Sequence, residues 1–340
     1  MEANGICGSD VESFLGKDPT FPPDDPDRYP RINGHEIVGV IEDLGPKTKH
    51  RENLNVGDRV AVNPVIPCGR CVSCSDGRHH MCNGQRFSPA IYGFVPMRIE
   101  PGLWGGYSTH VYIDPDTVLY PFPADFDPLD ATLWNPLGGA IQWSILTPNL
   151  KLGQSVMVIG TGQRGLACVA ALRAAGAGTI IATGLSTDRH KLDLALEFGA
   201  DAVVDVETED LLEVVRQHTR GDGVDLVVDT APRTTRTTQQ GIDALRAGGT
   251  LVNVGMKTPT MDGFPIGRIT SRNISVIGAA NTSIAAYRTA AEMLVSGRVQ
   301  LRKMRTHVFG FDRFEEALQT LQGRVKGAKA MNVVVTPTFT

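Results

Sequence analysis

The sequence predicts a two-domain α/β protein in which an irregular β domain is joined to a doubly wound parallel sheet. Three observations support this prediction: the length of 340 residues, a change of pattern near Lys151, and a glycine-rich turn after the first strand of the second half. One hydrophobic core rarely serves a chain of this length, so two domains are expected. The expected domains are 1–136 together with 280–340, and 137–279.

Residues 1–120 are rich in Pro and Gly and carry short runs of β-forming residues. The runs are EIVGVIEDLG (36–45), DRVAV (58–62) and HVYI (110–113). Short strands separated by Pro and Gly are typical of an irregular β domain.

From Lys151 onward, apolar strands alternate with helical periods. The expected strands are SVMVIG (155–160), TIIAT (179–183), DAVVD (201–205), VDLVVD (224–229), GTLVNVG (249–255) and NISVIGA (273–279). Helical periods such as RGLACVAALRAAG (164–176) and RHKLDLALEFGA (189–200) lie between them. This alternation predicts a parallel sheet with helices on both faces. After Ala280 we expect a helix, a strand, a helix from Asp312 and a last strand.

Charge and hydropathy argue against two classes of partner. A formal net charge of −4 and a pI near 6.1 do not suit a protein that binds nucleic acid. No apolar run approaches the roughly 20 residues that cross a bilayer, and MEANGICGSD does not have the pattern of a signal peptide. We therefore expect a cytoplasmic protein without a nucleic-acid or membrane partner.

Four cysteines lie between residues 68 and 82, in the pattern C-x2-C-x2-C-x7-C. Cys68, Cys71, Cys74 and Cys82 suit the tetrahedral shell of a structural zinc. Disulfides are the alternative, but tight C-x-x-C spacings and few other cysteines make a poor disulfide framework. A shell of four cysteines leaves no position for a substrate, so the chemistry must lie elsewhere.

The run VIGTGQRG places Gly160, Gly162 and Gly165 in the pattern G-x-G-x-x-G, directly after a strand and before a helix. In this context the pattern predicts a Rossmann domain whose turn and helix N-terminus bind the pyrophosphate of a dinucleotide. The alternative is a turn that needs glycine only for its backbone conformation.

The second strand of this domain does not end in the carboxylate that usually holds the ribose of NAD. It ends at Gly184, and the residues that follow could supply donors and positive charge: Ser186, Arg189, His190 and Lys191. This pattern favours NADP over NAD. In the alternative interpretation Asp188 is a helix N-cap and the cations face water.

Cys7 in GICGSD, with His35 and Glu36 in GHEIVG, could form a second metal site. A lone Cys, His or Glu is usually a core or surface residue. Together, a thiolate, an imidazole and a carboxylate can hold zinc and leave its fourth position for water or substrate. Such a zinc stabilises an alkoxide while a nicotinamide accepts hydride. Asp10 could orient the His35 ring.

The order and spacing of these motifs resemble the zinc-dependent medium-chain alcohol and polyol dehydrogenases, of the sorbitol and threonine dehydrogenase type. The resemblance also includes VGDRVAV (56–62) and GGYSTHV (105–111). It implies a GroES-like catalytic domain, a Rossmann domain, one catalytic and one structural zinc per chain, and a homodimer or homotetramer. It assigns Cys7, His35 and Glu36 as catalytic zinc ligands and Ser9 as the first proton acceptor. The implied substrate is a secondary or polyol-type alcohol, or the corresponding carbonyl.

Three features depart from the family pattern. The chain begins a few residues before Cys7, where relatives carry roughly two dozen more. Asn135 stands where the polyol branch has a glutamate, and a neutral amide could at most bond a bound water. Glu12 occupies the position of a histidine that often ends the proton relay, so it could accept the proton or simply point to solvent.

Other interpretations remain open at this point. The same scaffold could be a carbonyl reductase or dismutase that retains its cofactor, or a non-catalytic structural or regulatory protein that binds a cofactor. Several aromatic residues could line a substrate pocket or belong to the core, namely Phe87, Tyr92, Phe94, Trp104 and Trp134. His79 and His80 are expected on the surface, and Cys168 is expected in the core.

Overall fold

The computed structural model describes residues 1–17, 25, 29–46, 54–82, 90–257 and 260–338. The chain divides into two compact units. The first comprises Met1–Asn135, Ser283–Gly297 and Arg305–Thr340, and the second comprises Pro136–Thr282 and Arg298–Met304. The segment Arg298–Met304, which the sequence places in the first domain, thus belongs to the second unit.

The described residues form twelve strands and eleven α-helices. The strands are β1 (Ala3–Gly5), β2 (Glu36–Val40), β3 (Arg59–Val62), β4 (Leu119–Phe122), β5 (Val156–Ile159), β6 (Ile180–Gly184), β7 (Ala202–Asp205), β8 (Val224–Asp229), β9 (Leu245–Asn253), β10 (Ser275–Gly278), β11 (Arg305–Gly310) and β12 (Asn332–Thr336). The helices are α1 (Gly8–Phe14), α2 (Val72–Ser75), α3 (Pro128–Ala131), α4 (Trp134–Ile141), α5 (Gln163–Ala174), α6 (Arg189–Glu197), α7 (Leu211–His218), α8 (Arg236–Ala244), α9 (Ile266–Ser271), α10 (Ile284–Val295) and α11 (Phe314–Leu321). None of these helices is both long and apolar enough to span a membrane.

Each unit is built on one six-stranded sheet. The first sheet has the order β11-β12-β1-β2-β3-β4 and is antiparallel except for the parallel pair β11 and β12. The second has the order β10-β9-β8-β5-β6-β7 and is parallel throughout. The predicted fold class, which combines a doubly wound parallel sheet with a second, β-rich domain, is therefore confirmed.

The expected strand at residues 110–113 is wrong. This segment is irregular, and the Tyr112 amide donates to the carbonyl of Leu103. The Tyr112 ring packs edge-on against Trp104, with 5.1 Å between the ring centroids. The Tyr112 side chain therefore packs against Trp104, while the backbone of this segment pairs with no strand among the described residues.

The cores of the units explain several residues that the sequence left open. Cys168 is fully buried on α5 among apolar neighbours, which confirms its expected place in the core. Tyr92 and Trp104 belong to a cluster with Ile37 and Val62 in the first unit, and Trp134 is fully buried. These three aromatic residues are therefore core residues, while Phe87 lies outside the described part of the chain.

Candidate metal centre and cofactor turn

Cys7 lies at the junction between β1 and α1. Its backbone is extended, with φ −95° and ψ 160°, and the helix begins at the next residue. The Cys7 amide donates to Asp10 Oδ2 over 2.8 Å, as expected when an acidic residue in the first turn bonds back to the N-cap position. Asp10 therefore fixes the backbone from which the Cys7 thiol projects.

Glu36 is the first residue of β2 and His35 directly precedes it. Strand β2 pairs with β1 so that Glu36 is opposite Gly5. A Cβ at Gly5 would lie 2.2 Å from Glu36 Oε2, so only glycine leaves room for this carboxylate. Gly34, just before His35, has φ +95°, a conformation that glycine adopts without strain. The two glycines thus set where the imidazole and the carboxylate lie.

The structure brings the three predicted ligands together. One ligand atom each from Cys7, His35 and Glu36 lies within 4.8 Å of the other two. Glu36 is fully buried and His35 is 8% exposed. Because a buried carboxylate is costly without a cation, this donor set suits a metal ion.

Asp10 also faces the His35 ring, with 3.5 Å between Asp10 Oδ1 and His35 Nδ1. Burial disfavours the charged imidazole, but Asp10 and Cys7 raise the pKa of His35 well above its usual range. A proton on Nδ1 directed at Asp10 leaves Nε2 as the ligand atom. Thiolate, imidazole and carboxylate donors, with space secured by Gly5, fit zinc and leave one coordination position open.

Ser9 and Glu12 both lie on α1 and are half-buried. Residues three apart share a helix face, so the two side chains are neighbours along α1. Their assignment to a proton relay stays a prediction.

Asn135, which the sequence marked as a departure from the pattern, is buried next to the backbone of His35. Its Nδ2 lies 3.4 Å from the carbonyl oxygen of His35 and 3.3 Å from the hydroxyl of Tyr287 on α10. The amide therefore links the segment that carries His35 to α10. Sequence reasoning missed Tyr287, because no motif marks a contact between residues so far apart in the chain.

The four-cysteine lobe has the dimensions of a metal site. The sulfurs of Cys68 and Cys74 are 4.0 Å apart, as are those of Cys71 and Cys82. A tetrahedral zinc with Zn–S bonds of about 2.3 Å spaces its sulfurs about 3.8 Å apart. All four cysteines are free of disulfides, and the four sulfurs form one cluster. His79 and His80 lie on the short 3-10 helix His79–Met81 and are partly exposed, outside this cluster.

The thiols of the lobe differ in acidity when no metal is bound. Backbone amides, first that of Arg70, lower the pKa of Cys68 to about 6, whereas burial raises the pKa of Cys74 to about 12. Since zinc binds thiolates, metal binding to this lobe releases protons.

The glycine turn between β5 and α5 has the geometry expected of a dinucleotide site. Gly160 has φ +90°, and Gly162 precedes the first residue of α5. A Cβ at Gly165 would lie 1.8 Å from the Gly160 carbonyl oxygen, whereas one at Gly162 would meet no atom within 4 Å. Gly160 thus permits the turn, Gly165 permits close packing, and Gly162 leaves the backbone accessible to a phosphate.

The residues expected near the adenosine ribose lie at the carboxyl ends of the strands, as the glycine turn does. Gly184 ends β6, Ser186 opens the 3-10 turn Ser186–Asp188, and Arg189 begins α6. Asp188 precedes α6 but its side chain makes no cap hydrogen bond, and it pairs instead with Lys191 over 2.8 Å.

Comparison with known proteins agrees with this arrangement. Residues 1–124 match the family described as alcohol dehydrogenase GroES-like domain, and residues 165–296 match the family described as zinc-binding dehydrogenase. The "Probable alcohol dehydrogenase adh" of Mycobacterium tuberculosis is 36% identical over 99% of this chain and 90% of its own. The D-xylulose reductase A of Aspergillus oryzae is 31% identical over 96% of this chain and 86% of its own.

Solved structures show the same fold. An alcohol dehydrogenase from Thermotoga maritima superposes with a TM-score of 0.87 at 25% identity, covering 99% of this chain and 90% of the other. A zinc-binding dehydrogenase from Sinorhizobium meliloti, solved with NADP, has a TM-score of 0.80 at 26% identity, covering 99% and 90%. The chain is thus a zinc-dependent alcohol oxidoreductase that belongs to the medium-chain alcohol and polyol dehydrogenases.

Proposed function

We propose that this chain transfers a hydride between a secondary or polyol-type alcohol and a nicotinamide cofactor, at a zinc held by Cys7, His35 and Glu36. The observation that carries the proposal is that the ligand atoms of these three residues lie within 4.8 Å of one another. The Glu36 carboxylate occupies space that any side chain at Gly5 would fill. The similarity to a D-xylulose reductase supports the polyol class. The same site would reduce the corresponding carbonyl in the reverse direction.

When bound, the zinc would act as a Lewis acid on the alcohol oxygen and the nicotinamide would accept the hydride. The chain's own residues supply the rest. Asp10 holds both the Cys7 backbone and the His35 ring, so the ligands are oriented before the metal binds. The glycine turn from Gly160 to Gly165 would hold the pyrophosphate of the cofactor.

The direct test is a panel of alcohols and carbonyls followed by nicotinamide absorbance with both cofactors. We expect turnover with at least one secondary alcohol or polyol, together with two zincs per chain. No turnover and a single zinc would support the non-catalytic alternative, and cofactor that stays bound through purification would support the dismutase alternative.

Proton transfer from the alcohol would use Ser9 first and Glu12 second. We expect Ser9→Ala to reduce turnover roughly 10²–10⁴-fold, because general base steps contribute about that much. Glu12→Gln should cost far less, because water can replace the second carrier, but it should alter the pH–rate profile at low pH. An unperturbed Glu titrates near 4.3, against about 6.5 for His. The measurement is the pH–rate profile of both variants, and an unmoved Glu12→Gln profile would remove Glu12 from the relay.

Gly5→Ala should impair the metal centre without changing any ligand. The added Cβ would lie 2.2 Å from Glu36 Oε2, so the buried carboxylate would have to move. We expect zinc to be retained at the four-cysteine lobe but weakened at the catalytic site, with a large loss of turnover. Gly8→Ala is the matched control, because a Cβ there would meet no atom within 4 Å. Equal zinc content and turnover in the two variants would contradict this prediction.

We also propose a homodimer or homotetramer. One of the two outermost strands of the parallel sheet, β10, leaves Val276 40% exposed, and Ile266 on α9, ten residues earlier in the chain, is 64% exposed. Exposed apolar side chains at a sheet edge favour pairing with another copy. The cytoplasmic location expected from the sequence stays a prediction.

A further inference from the structure

The sequence favours NADP because β6 ends in Gly184 instead of a carboxylate. The structure provides a steric reason for this glycine. A Cβ at Gly184 would lie 2.8 Å from Thr161 Oγ1, in the glycine turn, and 3.2 Å from Leu192 Cδ2. Thr161 is 2% exposed and Leu192 is fully buried, so neither can move aside easily. The missing carboxylate is thus explained by packing and does not by itself indicate a 2'-phosphate.

A carboxylate is nevertheless present next to Gly184, at the end of the neighbouring strand β7. Asp205, the last residue of β7, is the register partner of Gly184. Neighbouring strands lie about 4.8 Å apart, so Asp205 is next to the position where an NAD-binding protein of this fold usually has its acidic residue.

The proposed phosphate donors already bind carboxylates of the chain. The Ser186 hydroxyl donates to Asp205 Oδ2 over 2.7 Å, and the Ser186 amide donates to Glu207 Oε2 over 2.8 Å. Arg189 pairs with Asp193, with 3.0 Å between Nε and Oδ1. The hydrogen bond from Ser186 lowers the pKa of Asp205, which is therefore ionised at neutral pH. A phosphate bound to Ser186 would thus face the carboxylates of Asp205 and Glu207, and the nearby Arg189 charge, which is paired with Asp193, offsets only part of their repulsion.

We propose that Asp205, assisted by Glu207, makes this site select NAD over NADP. The Asp205 carboxylate can accept hydrogen bonds from the hydroxyls of the adenosine ribose, and it repels a phosphate ester at the 2' position. The inference rests on the proposed function, because it takes the cofactor to bind at the Gly160 turn. NAD is thus distinguished from NADP both by hydrogen bonds between Asp205 and the ribose hydroxyls and by repulsion between Asp205 and a 2'-phosphate.

The test is the dissociation constant of NADH and of NADPH for the full chain, measured by calorimetry without any alcohol. We expect NADH to bind roughly tenfold or more tightly than NADPH, and Asp205→Asn to reduce that ratio by about tenfold, chiefly through tighter NADPH binding. Glu207→Gln should change the ratio in the same direction by less, and it alters only an exposed side chain. Asp222→Asn is the matched control, because it removes one exposed charge two residues before β8, at the amino ends of the strands and not at the carboxyl ends where Asp205 lies.

Equal or tighter binding of NADPH by the unmodified chain would overturn the inference. So would an Asp205→Asn ratio no different from that of Asp222→Asn. A clear NADH preference without turnover of any alcohol would support the inference and overturn the proposed function. Turnover that prefers NADPH would support the proposed function and overturn the inference. Binding of neither NADH nor NADPH would overturn the inference and the proposed function together.

Discussion

Replacing Cys7 by serine should abolish turnover and lower the zinc content from two per chain to one. The thiolate is the softest of the three donors near the catalytic position, and a neutral hydroxyl binds zinc far more weakly. His35 and Glu36 would remain as two ligands, too few for a stable site. Since the metal supplies several kcal/mol of charge stabilisation, we expect kcat to fall at least about 10³-fold. The measurements are kcat and zinc content by elemental analysis.

The fold should survive this change. Cys7 is only partly buried, and the hydrogen bond from its backbone amide to Asp10 does not involve the sulfur. The molecule should therefore stay folded at room temperature, although losing the zinc leaves the buried Glu36 carboxylate without a cation and should lower the unfolding temperature somewhat. Cys168→Ala is the matched control, because it removes a thiol from the core of the other unit and should leave both zincs and turnover in place. Two zincs and unchanged turnover in Cys7→Ser would contradict the assignment of Cys7 as a ligand.

Motif spacing predicted three candidate ligands that the structure does bring within 4.8 Å of one another, because CGSD and GHE each keep their polar side chains within a few positions. It could not predict what makes room for them. Gly5 matters only because β1 pairs with β2 in a register that places it opposite Glu36. Asn135 contacts Tyr287, which is more than a hundred residues away in the chain. Pairings between distant segments are decided by the whole fold, and local sequence does not encode them.

Two differences between the sequence-based expectation and the structure have a similar cause. HVYI has strong β propensity, but propensity describes a fit to a half-buried surface and does not guarantee a partner strand. Arg298–Met304 follows α10 directly in sequence, yet it belongs to the unit built on the parallel sheet. Gly184 shows the same limit at the cofactor turn, because its contacts with Thr161 and Leu192 are invisible in the local sequence.

Replacing Cys71 by serine should destabilise the four-cysteine lobe while the catalytic zinc stays bound. The lobe has almost no apolar core of its own: Cys71 and Cys74 are buried, whereas Val72 is 75% exposed and Met81 is 55% exposed. In such a segment the metal supplies the folding energy, so losing one thiolate should cost several kcal/mol.

Zinc content should then fall to one per chain and thermal unfolding should begin at a lower temperature. Turnover per folded molecule should remain, since the lobe offers no open coordination position. Ser75→Ala on α2 is the matched control, because it keeps all four sulfurs of the same lobe. If Cys71→Ser unfolded at the same temperature as Ser75→Ala, this would contradict the prediction that zinc stabilises the lobe. If Cys71→Ser kept its stability but lost turnover, the four cysteines would have a role in the reaction. That result would contradict the conclusion that four sulfur ligands leave no coordination position for a substrate.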